Sequence, residues 1–466
     1  MHRAAIAIAI ALAAWSPPVV SLAHHGPGND LIVIPASAYH PQTIAISTSL
    51  RFHTLASDFF LQDDGTMYVQ TGDIPAMWLR DSSAQTKPYV RFISSHKKLG
   101  PLIRAVIERN AKNVLTDPYA NAFTAGYKIW EEKWEVDSII YPVTLAYTYW
   151  RRTGSHDLFT PRLHWALKHT ISTLQCEQQH AHCSHYRSRF LTNGGSGPRY
   201  AQTGMIWSAF RPSDDRVRFP FNIPQQMFAV VGLRELAELA IAGYGDSKLA
   251  GDASRLADEV HLGIERHGLV YTHQFGIIYA YEVDGLGHAL LADDANMPNL
   301  TTAGYYGFAA PTSQAYTDTR RFALSNANTY YYRGKYAAGL GSAHSPTGWV
   351  WPLGLIGAAL TTREPRDVAS AISTIEDTNR FNGLIHESFD PSDPDRFTRA
   401  EFGWANATYA ELIFRSAAGF DADPLPSAVA GIDFPAQRTP VIVDIPQLWF
   451  NAVLIESELS DLLQEQ

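Results

Sequence analysis

Helical periodicity is the feature that most restricts what this chain can fold into. Apolar residues return at three- and four-residue intervals over 43–60, 100–115, 137–152, 161–175, 224–242, 247–266, 349–360, 366–378 and 404–417. That spacing places them on one face of an α-helix. Segment 224–242 is apolar nearly all round, as a deeply buried helix is. Gly154, just past 137–152, is a C-cap signal. Only L-V-Y-T-H-Q-F-G-I-I-Y-A-Y-E-V (269–283) reads as a β-hairpin. No repeat of fixed period is present. About a dozen helices in loosely paired order predict an all-α domain and suggest a toroid, with long loops at its mouth.

Composition narrows the partners. The chain has 466 residues, a net charge of -9, 18% charged and 12% aromatic residues; the charged share lies below the usual level of about 25%. This balance fits a large core with an aromatic-lined cavity. The acidic net charge argues against nucleic acid or an anionic membrane surface as partner. Met1-His2-Arg3, an apolar run from Ala4 to Trp15 and Ser21-Leu22-Ala23 read as a signal peptide over 1–23. That run is too short to span a bilayer. A secreted or periplasmic protein starting near His24 is expected, with a domain over 24–420. The Pro-rich stretch 421–466 should then be an extension packing on that domain. Cys176 and Cys183, in C-E-Q-Q-H-A-H-C, suit a local disulfide in an exported protein. A metal held with His180, His182 and His185 is the alternative, although the spacing matches no standard zinc pattern.

The loops carry the chemistry. T-G-D-I-P-A-M-W-L-R-D-S-S-A-Q (71–85) sets Asp73, Arg80 and Asp81 among Ile74, Met77, Trp78 and Leu79. Burying such charges is costly unless they are paired or given a polar ligand. Ser82 or Ser83 then reads as a helix N-cap. A structural Arg–Asp clamp explains this stretch as well as a ligand site does. W-S-A-F-R-P-S-D-D (207–215) has paired carboxylates, A-D-D-A-N-M-P-N (292–299) adds Asn296, S-A-H-S-P-T-G-W-V-W-P (342–352) offers His344 and Trp351, and N-G-L-I-H-E-S-F-D (382–390) carries Glu387. Singly, each has a dull reading as a cap, a turn or packing. Together, carboxylates, arginine and aromatic faces are the mixture that grips a sugar.

The motifs T-G-D-I-P-A-M-W-L-R-D-S-S-A-Q, E-V-D-S-I-I-Y-P, W-S-A-F-R-P-S-D-D, D-D-A-N-M-P-N and I-H-E-S-F resemble those of glycoside hydrolase family 125 over most of the chain. The resemblance implies an (α/α)6 barrel and an inverting, metal-independent exo-α-1,6-mannosidase without cofactor, acting on α-1,6-linked mannosides; a monomer is expected, although the sequence leaves the oligomeric state open. It implies a general acid at Asp214 or Asp215 and a general base at Glu387, with Glu401 a rival base. Asp73, Trp78, Arg80, Asp81, Asn296, His344 and Trp351 are then expected to bind substrate. A non-catalytic glycan-binding protein, or another (α/α)6 glycosidase such as a glucoamylase-like α-glucosidase, is the alternative. The intact acidic motifs weigh against the first. A lyase acting on uronates would want a cationic cleft instead.

Overall fold

The computed structural model describes residues 53–310, 312–379 and 383–416. The expected signal peptide, the extension over 421–466 and positions 43–52 of the first expected helix lie outside the described residues. Among the described residues, ten α-helices of eight residues or more follow in order: α1 Leu79–Thr86, α2 Leu99–Thr116, α3 Val136–Thr153, α4 Pro161–Gln178, α5 Ile223–Tyr244, α6 Ser247–His267, α7 Gln314–Ala323, α8 Pro352–Leu360, α9 Pro365–Thr378 and α10 Gly403–Ser416.

Local signals explain where these helices begin and end. Thr160 caps α4 by accepting from the Leu163 amide at 3.2 Å, with Pro161 in the first turn. Asn222 caps α5 in the same way through the Gln225 amide at 3.3 Å. Both are side-chain acceptors satisfying amides that have no partner inside the helix. Gly154 ends α3 in the left-handed conformation, φ 62°, as its position suggested.

The helices close into a ring. α1, α3, α5, α8 and α10 form the inner wall, with α1 packed on α3, α3 on α5, α8 on α10 and α10 back on α1. The inner place between α5 and α8 is filled by a run of turns around 300–308 instead of a helix. There Tyr306 packs on Phe228 of α5, ring centroids 4.6 Å apart. On the other side Thr302 lies so near Gly357 of α8 that a β-carbon there would meet it at 2.8 Å. α2, α4, α6, α7 and α9 lie outside. Gly232 lets α5 close on α3, since a β-carbon would lie 2.4 Å from Ile140. The buried side chains merge into one main core that runs round the whole ring.

Four expectations need correction. Ser82 and Ser83 do not cap a helix: α1 already starts at Leu79, and the Ser83 hydroxyl donates back to the Leu79 carbonyl at 2.8 Å. The expected helix over 349–360 begins only at Pro352, because Val350 pairs as an extended bridge with Phe389. The expected helix over 43–60 ends early, with a strand already formed at Phe59–Leu61. The hairpin of Leu269–Thr272 with Gly276–Tyr279 is present, but it is one of six small sheets among the described residues. The others are two- and three-residue pairings in loops, too short to leave an alternating pattern.

Cys176 and Cys183 are bonded, with Cα atoms 5.2 Å apart. His180 bonds Glu177 at 2.7 Å and stacks on Trp207 at 3.6 Å between ring centroids. The cysteine-and-histidine cluster is therefore a packed corner and not a metal cradle. So short a loop limits the entropic gain to about 2–3 kcal/mol. A Cys176→Ser/Cys183→Ser variant should accordingly lose no more than that in a denaturant titration and keep its turnover. Two free thiols in the mass spectrum of the unreduced protein would contradict the bridge.

Candidate active site

The inner helices all begin at one end of the ring, and the expected site residues gather there. Arg80 and Asp81 are in the first turn of α1; Glu135 precedes α3 and Asp137 opens it; Gln225 lies in the first turn of α5; Trp351 precedes α8 and Trp404 opens α10. Helix N-termini carry partial positive charge and favour anions, so this end can hold a concentration of carboxylates.

Arg80 is the hub. Its Nη1 donates to Glu135 Oε2 at 2.7 Å and to Asp137 Oδ2 at 3.4 Å, and its Nη2 donates to Asp214 Oδ1 at 2.9 Å. Asp81 Oδ2 is an ion-pair partner of Nε at 3.4 Å. The guanidinium lies over the Trp404 ring, 5.4 Å from its centre, and Trp404 meets Tyr141 edge-on at 6.3 Å. Both rings are buried. Arg80 Nε, Asp81 Oδ2 and Trp78 Nε1 are buried and make no hydrogen bond within the protein. Unpaired buried polar atoms are rare and costly; here Arg80 Nε and Asp81 Oδ2 offset that cost in part by facing each other as an ion pair at 3.4 Å. Burial raises the Asp81 carboxyl to about 6, with the Arg80 charge opposing it.

Asp214 and Asp215 sit in a tight turn. The Arg211 amide donates to the Asp215 carbonyl at 2.8 Å and the Asp214 amide to the Arg211 carbonyl at 2.9 Å. Arg211 is itself anchored by Glu282, Nε to Oε1 2.5 Å. Asp214 has φ 63°, a left-handed conformation that Asp tolerates better than most residues. It points its carboxyl at Arg80 and at the Asn121 amide, 3.3 Å away. Burial alone would raise its pKa, but Arg80, Glu135, Lys133 and His344 hold it well below the usual carboxylate range. Asp215 instead accepts from the Ser213 hydroxyl at 2.8 Å and faces His344 Nδ1 at 3.8 Å, an ion pair too long for a hydrogen bond. With Asp215 foremost, and Asp214 and Glu387 also near, the imidazole is raised to about 9. His344 is thus a cation placed among all three candidate catalytic carboxylates.

Glu387 approaches from the last part of the chain. Val350 and Phe389 exchange two hydrogen bonds of 2.9 Å, which fixes the Glu387 strand beside the His344 loop. Arg399 then holds Glu387 Oε1 at 3.4 Å, Asp73 Oδ1 at 2.8 Å and the Thr71 carbonyl at 2.8 Å. The rival base Glu401 is turned elsewhere: its carboxylate bonds His53 at 2.6 Å and lies beside buried Asp58.

The remaining expected binders divide. Asp73 is at the exposed rim and is engaged by Arg399. Asn296 uses its amide on Asp294 at 2.9 Å and Ser342 at 3.3 Å, tying two loops together. Trp351 is buried, donates to the Ser345 hydroxyl at 2.8 Å and backs His344 edge-on at 6.3 Å. Asp293 fits the dull reading of an acidic loop, as it accepts from the amides of Leu300 and Thr301. Three site members had no role from sequence: Glu135, Asp137 and Arg399. The first two were readable as acids at the start of a helix in E-V-D. Arg399 gave no signal, since it acts across 326 residues with φ 46°. Among the described residues, no group of three or more His, Cys, Asp or Glu is arranged to hold a metal ion.

A ring of paired helices with an arginine and carboxylates at one mouth is an (α/α)6 barrel. The fold is shared with a bacterial glucoamylase complexed with acarbose, at TM-score 0.53 and 14% identity over 82% of this chain and 56% of that one. A solved Streptococcus pneumoniae structure is far more similar: a non-productive substrate complex with α-1,6-mannobiose, from work on metal-independent α-mannosidases in the processing of N-linked glycans. It has TM-score 0.79 and 38% identity over 80% of this chain and 94% of that one. The meiotically up-regulated gene 157 protein of Schizosaccharomyces pombe is 34% identical over 410 residues, 79% of each chain. Residues 37–414 match the family described as metal-independent alpha-mannosidase (GH125). The chain belongs to that family of glycoside hydrolases and is a mannosidase.

Proposed function

We propose that the protein is an inverting exo-α-1,6-mannosidase that removes terminal mannose from oligosaccharides or glycans. What supports this reading is that the Asp214–Asp215 turn precedes α5 while Glu387 comes from the segment before α10, and that His344 faces Asp215 at 3.8 Å with the charges of Asp214 and Glu387 also acting on it. Inversion needs an acid and a base set about 6.5–9.5 Å apart, with room for water at the anomeric carbon. Asp214, or its neighbour Asp215, is the acid that protonates the departing oxygen, and Glu387 is the base that takes a proton from the attacking water. Arg80, Asp81 and Trp78 hold the terminal sugar at the mouth of the ring, above the buried rings of Trp404 and Tyr141. The α-1,6 linkage is supported by the mannobiose bound to the Streptococcus pneumoniae relative. The basic, apolar and small-residue segments at 1–23 support export as a secreted or periplasmic protein, working as a monomer.

Proton NMR of the early reaction with α-1,6-mannobiose tests this. β-Mannose should appear first and α-linked glucose disaccharides should remain intact. α-Mannose appearing first would make the enzyme retaining. No release at all would leave a glycan-binding protein.

A further inference from the structure

Glu135 has no place in the scheme above, although it is among the most deeply buried acids of the site, 1% exposed. It shares a single guanidinium with the acid: Arg80 Nη1 holds Glu135 Oε2 at 2.7 Å while Nη2 holds Asp214 Oδ1 at 2.9 Å. The Ser138 hydroxyl also donates to Glu135 Oε2, at 2.7 Å. The other oxygen, Oε1, is buried and makes no hydrogen bond.

The charges around this pair are unevenly placed. Arg80, Asp81, Asp137, Lys133 and Asp214 all face it, with His344 beyond Asp214 and the Tyr186 hydroxyl on the Glu135 side. Lys133 and His344 act on Asp214 as extra cations, whereas Arg80 is the main positive charge opposing Glu135. Two adjacent carboxyls in a dry site cannot both ionise freely. The surplus proton therefore belongs on Glu135. Burial and the Asp214 charge act in that direction, holding the Glu135 carboxyl well above its ordinary range.

This creates a difficulty that the geometry also resolves. A general acid must be protonated when the bond breaks, yet Arg80 strips the proton from Asp214. We propose that Glu135 is the proton store of the active site, sharing one proton with Asp214 and passing it over as the glycosidic bond breaks. The inference rests on the reading of Asp214 as the acid. As the C1–O bond breaks, the one shared proton passes from the Glu135 hydroxyl to Asp214 and from Asp214 to the leaving oxygen, which leaves both carboxylates ionised. Water bonds to C1 and loses a proton to Glu387. After release, Glu387 returns a proton to solvent and Glu135 regains one, so the sum is the consumption of one water. Glu135 does not touch the sugar; it is a positioning residue for the proton.

Glu135→Gln keeps the shape and the amide can still bond Arg80, but it has no acidic proton to pass. Turnover of α-1,6-mannobiose should fall roughly 10²- to 10⁴-fold, the range for losing general acid help. An activated dinitrophenyl α-mannoside, whose leaving group needs no proton, should lose less than about tenfold. The basic limb of the kcat/KM profile should move to lower pH. Glu135→Asp should recover part of the mannobiose rate and of that limb. Equal loss on both substrates with an unmoved profile overturns the proposal in favour of a packing role. If Glu135→Gln is poorly folded, an unmoved basic limb in Glu135→Asp overturns it equally. Asp214→Asn separates the two readings. If that variant spares the aryl mannoside but Glu135→Gln does not, this proposal alone fails; if it spares neither substrate, the acid assignment fails and takes the proposal with it.

Discussion

Glu387→Gln should lower the turnover of α-1,6-mannobiose by roughly two to four orders of magnitude. The amide is isosteric and can still meet Arg399, but it cannot take a proton from water. The loss should be similar for an activated aryl mannoside, because the attack on C1, and not departure, is what the base assists. Stability should hardly change, since the Glu387 carboxylate is held by Arg399 at the long distance of 3.4 Å and the amide can keep that contact. Glu401→Gln is the matched control. It weakens the 2.6 Å bond to His53 beside buried Asp58, so it should lower the melting temperature more than the rate. Near-normal turnover in Glu387→Gln, with loss in Glu401→Gln, would reverse the assignment.

Arg80→Met should be the most damaging change to the folded state. It leaves Glu135, Asp137, Asp214 and Asp81 gathered without their common cation. Removing one partner of a buried charge network costs about 3–5 kcal/mol. The deficit should depend on pH in a particular direction. Burial raises Glu135, Asp137 and Asp81 above their unfolded values even with Arg80 present; without it these three rise further and Asp214 loses the main cation that holds it low. A raised carboxyl destabilises the fold above its unfolded pKa of about 4, increasingly as pH rises, and costs nothing once both states are protonated. Urea titrations at pH 7 and pH 5 should therefore show a smaller gap between variant and wild type at pH 5. An equal gap would mean that Arg80 acts by packing on Trp404 and not by charge. Arg80→Lys should not rescue activity, because one ammonium cannot serve Glu135 and Asp214 through two separate nitrogens.

How much of this was legible in the sequence follows from the range over which each signal acts. Helices such as α2, α3 and α6 announce themselves because a 3.6-residue pattern is local and long. α1 does not, because it is eight residues long and its buried face is polar: Arg80, Asp81, Ser82, Ser83 and Gln85 are all inside. The serines mimic a cap because they do satisfy a backbone carbonyl, only from within the helix. Likewise Trp349 to Trp351 is apolar enough to extend a helix, yet pairing with Phe389 takes those residues into an extended bridge. The candidate site divides the same way. Arg80, Asp81 and the Asp214–Asp215 pair stand out as charges in apolar surroundings. Arg399 does not, since its role depends on a left-handed backbone and on partners brought in by ring closure. Glu135 looked like an ordinary acid at a helix start until Arg80 joined it to Asp214.

That closure has a bearing on how the molecule comes into being. α10 packs on α1, and Arg399 reaches back to Thr71 and Asp73. The chain is made from its N-terminus, so α1 must wait for almost the whole barrel to follow before its last inner neighbour arrives. Contacts so distant along the chain are late and slow to form. Until α10 arrives, the half of the pocket with Arg80 and Asp81 is not joined to the half with Glu387. On the proposed assignment the catalytic groups are all synthesised before α10 is complete, but they are held in one ring only once α10 has packed on α1.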